Sequence, residues 1–260
     1  MSIHSTAIIE EGAELGADIE VGPYCRVGPK VRLHDGVRLK SHVVIDGATE
    51  IGAGTVVFPF AALGCPPQHL GHKGEETKLC IGANVIIREH VSMNCGTVAG
   101  GGVTTVGDGG FFMAGSHIAH DCTVGDHVIC ANGAQVGGHV QLGDSVFLGG
   151  LCAIHQHTRI GDFAFVGGGA IVVSDIIPYA SAVGNHARLV GLNIIGMKRR
   201  GMARDVIHDL RAAYRMLHEG QATFKERVQR VRERFGDREE VSRILEFVEY
   251  DSSRPLMPAR

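Results

Sequence analysis

The sequence predicts a mainly β protein: a parallel β-helix of hexapeptide repeats followed by a small C-terminal α-helical domain. Three observations predict it. An apolar residue recurs at every sixth position over long stretches of the chain. Glycine accounts for 37 of 260 residues, whereas aromatic residues make up 5% and Trp is absent. After Ser174 the six-residue period gives way to helical spacing. A fixed short period marks a repeat architecture, in which each unit buries its apolar face only by stacking on its neighbours.

The register runs unbroken from Ile3 through Ile9, Leu15 and Val21 to Leu63, which is eleven residues. It resumes at Ile81, Ile87 and Met93, and again over twelve residues from Val106 to Val172, for 26 units in all. The next position is usually small, as in Gly107, Ala119, Gly125 and Gly137. A period of six fits neither an amphipathic helix nor alternating hairpin strands. It fits a triangular coil with short strands on three flat sides, each apolar residue pointing inward near a corner and the small residue permitting the turn. Three units make a coil of 18 residues, and coils stack ~4.8 Å apart by parallel pairing. The β-helix is assigned to residues 1–176, with between eight and nine coils ending near Val173.

Two breaks interrupt it. Gly64–Cys80 carries Pro, Gly and charges and reads as a surface loop. Asn94–Thr105, NCGTVAGGGVTT, is a Gly-rich bulge one residue out of phase. Loops inserted in a rigid scaffold often carry function. Residues 177–200 read as a connector and 201–260 as the helical domain. Val206, Ile207, Leu210, Tyr214 and Leu217 follow helical spacing up to Gly220. Thr223-Phe-Lys-Glu226 is a capping box opening a helix to about Phe235. Asp237-Arg-Glu-Glu240 opens a third, with Val241, Ile244, Leu245 and Val248 on one side.

Composition excludes several classes. A net charge of −3 argues against a broad nucleic-acid surface. No apolar stretch reaches the ~18–20 residues of a membrane span. The start, MSIHSTAIIEEG, lacks the basic and long apolar regions of a signal peptide. Seven scattered Cys form neither a disulfide framework nor a CxxC metal site, and read as small core fillers. A cytoplasmic enzyme is the expectation.

Polar exceptions in the later coils are the candidate site. His117, His120, His127, His139, His155 and His157 cluster there. Steps of 18 put His120 in column with Gly138 and Gln156, and Asp121 in column with His139 and His157. His155 takes a slot otherwise held by Gly or Ala, so it points out of the corner. These spacings are compatible with a proton acceptor working near pH 7, with three His around zinc, and with a solvated polar face.

The segments HIAHDCTVGDHVICAN, GGHVQLGD, GGLCAIHQHTRIG, GNHARLVGLN and MKRRG resemble the UDP-N-acetylglucosamine O-acyltransferases that begin lipid A biosynthesis, and the resemblance runs the whole chain. It implies a left-handed β-helix, a homotrimer with sites in the clefts between subunits, and no cofactor or metal. It implies transfer of a 3-hydroxyacyl group from acyl carrier protein to the 3-hydroxyl of a UDP-sugar. By the same resemblance His120 is the general base, followed in the motif by Asp121, and Gly138 supplies the oxyanion amide. His139, His155 and Gln156 line the sugar and acyl-pantetheine cleft, with Gln68 and His117 also counted in the substrate-binding set. His186, Asn193, Arg199 and Arg200 belong to the nucleotide side, and Gly168 to the position that sets acyl length.

The chain also departs from the family pattern. The family loop commonly reads Gln-Asp-Leu-Lys before Gly-Glu; here Gln68 is followed by His69, where the Asp that pairs with the catalytic His is expected. The Lys slot is Gly71, with Lys73 two residues on in its stead. Asn94 and Cys95 stand where the best-known members have His-Arg, and Ile195 replaces a Glu. These changes bear on the sugar and dyad contacts and bring in two alternatives: transfer to a 3-amino UDP-sugar, giving an amide, or a non-catalytic trimeric scaffold.

Overall fold

A computed structural model describes residues 1–259 of the chain. From Ser2–Ile3 to Ile171–Val172 there are 26 short strands, and each contains one residue of the six-residue register. Together with two later strands they stack into sheets of eleven, nine and eight strands, parallel throughout the coils. Ile118, for example, lies beside Val136, which lies beside Ile154, which lies beside Val172.

The register residues from Val21 to Val172 form one continuous buried core. The residue two positions earlier is buried as well, giving a second inward column that includes Ile19, Val31, Val85, Val128 and Val146. Side chains two apart on extended chain point the same way, so both share the interior. Cys25, Cys122 and Cys152 occupy this second column, as core fillers. Burial pushes the Cys122 thiol up to about 12.

The corners turn differently from the expectation. The residue in left-handed backbone stands three positions after most register residues, and it is often bulky: Tyr24, His42, Phe60, His139, Leu151 and His157 all have φ between 55° and 65°. The small residue directly after the register is required by a close approach instead. A Cβ on Gly143 would lie 2.7 Å from the backbone nitrogen of Asp162 one coil away. That space holds an aspartate ladder. The carboxylates of Asp126, Asp144 and Asp162 each accept the backbone N–H of Asp108, Asp126 and Asp144 respectively, at 2.7–2.9 Å.

The first break is a loop between the strands Ala62–Cys65 and Lys78–Ile81. The second holds a short 3-10 turn, Val98–Gly100, capped by Thr97. The expected connector is partly regular. Ala180–Val183 extends the eleven-stranded sheet and pairs antiparallel with Arg188–Leu192. Helices α1 (Ile194–Arg199), α2 (Arg204–His218), α3 (Phe224–Phe235) and α4 (Glu239–Glu249) follow. The capping box at Thr223 and Glu226 is formed in both directions. Helix α4 begins at Glu239 with Arg238 at the cap position, not Asp237, and the Arg238 side chain pairs with Asp205 and Asp209.

Helix α4 lies over the eight-stranded face. Arg159, from that face, pairs with buried Asp175 at 2.9 Å and sits between the rings of Phe247 and Tyr250. Arg243 of α4 reaches Asp162 at 3.1 Å. Among the described residues no helix is long and apolar enough to cross a membrane.

Candidate active site

His120 stands at the corner between the nine- and eight-stranded faces, just after the strand His117–Ile118. The next residue, Asp121, is in left-handed backbone (φ 61°). This conformation brings its carboxylate back to its neighbour, with Oδ2 2.8 Å from Nδ1 of His120. The Asp121 side chain is wholly buried. Burial alone raises its pKa, but hydrogen bonds from the Thr97 hydroxyl and amide and from His120 outweigh burial and hold it below the usual carboxylate range. An ionised carboxylate only accepts, so Nδ1 of His120 carries the proton facing it, and in the neutral ring the lone pair is on Nε2.

Gly138, one coil on, lies beneath this ring. A Cβ there would fall 2.7 Å from Cε1 and 2.9 Å from Nε2 of His120, so a side chain would displace the base. His139 meets His120 edge-on with ring centres 5.2 Å apart and stacks on His157 at 4.4 Å. Burial lowers the pKa of His139 against the pull of Asp121. His117 shares a hydrogen bond with Ser92 at 2.8 Å, and burial lowers its pKa too. His120, Asp121 and His139 offer three donor atoms within 4.8 Å of one another, a metal-like spacing. Here the carboxylate is already filled by Thr97 and His120.

Other predicted residues are spread over the molecule. Gln156 and His155 are exposed on the catalytic corner, and His155 Nδ1 is 2.8 Å from the Arg254 guanidinium. Sequence reasoning missed Arg254, because a contact 99 residues away leaves no local pattern. Gln68 and Lys73 are exposed on the first loop. Gly168 is exposed at the opposite edge of the nine-stranded face. His186 is exposed in the turn before Arg188–Leu192. Asn193 caps α1, its Oδ1 accepting from Gly196 and its Nδ2 donating to the Phe163 carbonyl. In the single chain both ends of that amide are engaged within the fold. Arg199 and Arg200 are exposed at the end of α1. Arg200 donates to the Ser145 hydroxyl and lies over the Phe163 ring, at the corner between the eight- and eleven-stranded faces. The chain therefore does not bring its arginines to His120: the two stand at opposite corners of the eight-stranded face.

A family model described as UDP-N-acetylglucosamine O-acyltransferase, domain 2, matches residues 175–257. An acyl-[acyl-carrier-protein]–UDP-N-acetylglucosamine O-acyltransferase of Caulobacter vibrioides is 58% identical over 261 residues, covering 100% of this chain and 99% of that protein. The protein of the same name in Brucella ovis is 54% identical and covers 97% of this chain and 91% of its own length. The chain belongs to the UDP-N-acetylglucosamine O-acyltransferase family. Solved members agree in fold. LpxA from Acinetobacter baumannii superimposes with a TM-score of 0.92 at 40% identity, covering 98% of this chain and 99% of that one. The Campylobacter jejuni acyltransferase gives 0.94 at 36%, covering all of both chains. The coils are thus the left-handed β-helix of this acyltransferase family.

Against the acyltransferase pattern, the missing loop aspartate needs reinterpreting. His69 does not pair with His120 as a carboxylate would; its ring sits edge-on at 5.5 Å, and its Nδ1 accepts the Gly71 N–H. The carboxylate that pairs with His120 is Asp121, the adjacent residue. Asn94 is buried, its Nδ2 donating to the Pro66 carbonyl at 3.0 Å, and Cys95 is buried with its thiol on the Gly64 carbonyl. Both anchor the two loops to each other. Ile195 is 67% exposed, so it leaves a polar contact unreplaced rather than packing in a core.

Proposed function

We propose that the protein transfers a (R)-3-hydroxyacyl group from acyl carrier protein to the 3-position of UDP-N-acetylglucosamine, the first step of lipid A biosynthesis, in the cytoplasm. The observation that carries this reading is the imidazole of His120, held by Asp121 on one side with its other nitrogen over a glycine backbone. Nε2 takes the proton of the sugar 3-hydroxyl as its oxygen attacks the thioester carbon. The Gly138 N–H is not spent on the bonds between coils, and it stabilises the tetrahedral oxyanion. Collapse breaks the carbon–sulfur bond, and the proton passes from His120 to the departing thiolate. Asp121 stays ionised and holds the ring in its working tautomer.

Arg199 and Arg200 suit the nucleotide diphosphate through charge-assisted hydrogen bonds. Arg200 and His120 stand at opposite corners of the eight-stranded face in one chain, so a neighbouring copy is what brings the two to one substrate. This supports the homotrimer with clefts between subunits, with His139, His155, Gln156, His117, Gln68 and Lys73 around the sugar and pantetheine.

A second reading, a 3-amino UDP-sugar as acceptor, is favoured by His69. A neutral amine is a better nucleophile than an alcohol and makes less demand on a base, so a loop carboxylate is dispensable. Incubation with a set of 3-hydroxyacyl carrier proteins and either sugar nucleotide tests both readings. Mass spectrometry identifies the product, and alkali cleaves an ester but spares an amide. No product from any pairing contradicts the acyltransferase and favours the scaffold.

A further inference from the structure

The second break has a place in this chemistry that the sequence pattern does not disclose. Regular coils pair residues eighteen apart, as His117 with Gln135. One coil earlier the spacing is twenty-five, Ser92 with His117. The extra chain is inserted directly beneath His120, and it delivers one side chain. The Thr97 hydroxyl donates to Oδ2 of Asp121 at 2.7 Å, and the Thr97 N–H donates to Oδ1 at 2.7 Å. Thr104, from the strand Val103–Val106 that follows, accepts the Asp121 N–H at 2.8 Å.

We infer that Thr97 is a positioning residue for acyl transfer, fixing the Asp121 carboxylate so that it orients His120. The inference rests on the acyltransferase reading above. Three observations carry it. Thr97 is buried, so it acts through Asp121 and not on substrate. The loop is shaped around the carboxylate: a Cβ on Gly100 would fall 2.1–2.4 Å from its atoms, and one on Gly96 2.8 Å from Oδ1. The loop is itself fixed, since the Thr97 carbonyl accepts from Gly100 and Gly102, and Gly96 donates to the Lys78 carbonyl.

A competitor explains the need. His139 Nε2 lies 3.6 Å from the same Oδ2 that serves His120. With Thr97 holding both oxygens, the carboxylate cannot rotate toward His139. The titratable groups around the pair are His69, His117 and His139, with His157 stacked behind His139. A donor removed from Asp121 makes the carboxylate more basic, which favours the protonated form of His120. Transfer needs neutral His120, so the acid limb of the pH–rate profile moves to higher pH.

The test compares Thr97→Val with Thr97→Ser in kcat/KM across pH, beside the wild type and His120→Ala. Thr97→Val is expected to lose about 10- to 100-fold, the worth of one hydrogen bond to a charged group, with its acid limb moved upward. Thr97→Ser keeps the donor and is expected to keep both rate and limb. If the valine variant does not fold, Thr97→Ala takes its place with the same expectation. A limb that stays in place, whatever the rate, overturns the proposal, and so does a serine variant as slow as valine. A wild type without transfer overturns the acyltransferase reading instead, and a fully active His120→Ala overturns the role of His120 as its base.

Discussion

Left-handed backbone at Asp121 is what lets its carboxylate meet His120, the base of the proposed reaction. In extended chain, adjacent side chains point to opposite sides, and His120 and Asp121 could not meet. The corner conformation reverses one of them and closes a 2.8 Å contact between residues adjacent in sequence. His120→Ala is expected to reduce transfer ~10²–10⁴-fold with the thermal transition unchanged. A folded variant within threefold of wild type contradicts the assignment. The motif HIAHD, together with column arithmetic, made His120, Asp121 and Gly138 legible. It gave no hint that Asp121 would replace the loop carboxylate, because which side chain faces a ring depends on a corner dihedral. Thr97 and Arg254 were illegible for a related reason: each meets the site through a fold-level contact, from 24 and 99 residues away.

At the level of strands and helices, the six-residue register predicted every coil strand, since one inward residue per side is all the repeat demands. The second inward column escaped because it accepts Val, Ile, Ala, Cys, Thr and Ser alike, and so has no single chemical signature. The clamp between β-helix and helical domain was equally hidden. Arg159→Ala removes a buried guanidinium from Asp175, which is fully buried and keeps Ser252 as a partner. Breaking a buried pair from one side costs about 3–5 kcal/mol. The expected outcome is a lower melting temperature and faster proteolytic release of residues 201–260; an unchanged transition contradicts the clamp. Gly168 governs another element, the edge of the nine-stranded face three coils above His120. A Cβ there would lie 3.2 Å from the Gly150 carbonyl, tight but outside the left-handed region, so a side chain can be accommodated outward. An open edge suits long acyl chains, about fourteen carbons by family resemblance, each buried CH₂ contributing ~0.8 kcal/mol. Gly168→Met is expected to move donor preference toward about ten carbons, against an overpacking cost of ~1–3 kcal/mol. An unchanged donor-length profile contradicts a ruler at this edge.

Across the whole molecule, three groups of site residues lie at three corners of one prism: His120 at the first, Gly168 at the second, and Arg200 with Ser145 and Phe163 at the third. The eight-stranded face separates His120 from Arg200, and α4 covers its last strand through Arg159 and Arg243. On the proposed function, a single chain holds the parts of the reaction without a common cleft, and packing against a copy is expected to join them. Mixed oligomers test this most directly. His120→Ala and Arg200→Ala are each slow alone when the UDP-sugar is scarce. Unfolded and refolded together in equal amounts, they form cyclic assemblies in which about a quarter of the sites draw an intact His120 from one subunit and an intact Arg200 from its neighbour. The account predicts that transfer by the mixture rises well above the mean of the two parents, toward that fraction of the wild-type rate. A mixture no faster than that mean would contradict a catalytic cleft built from two chains.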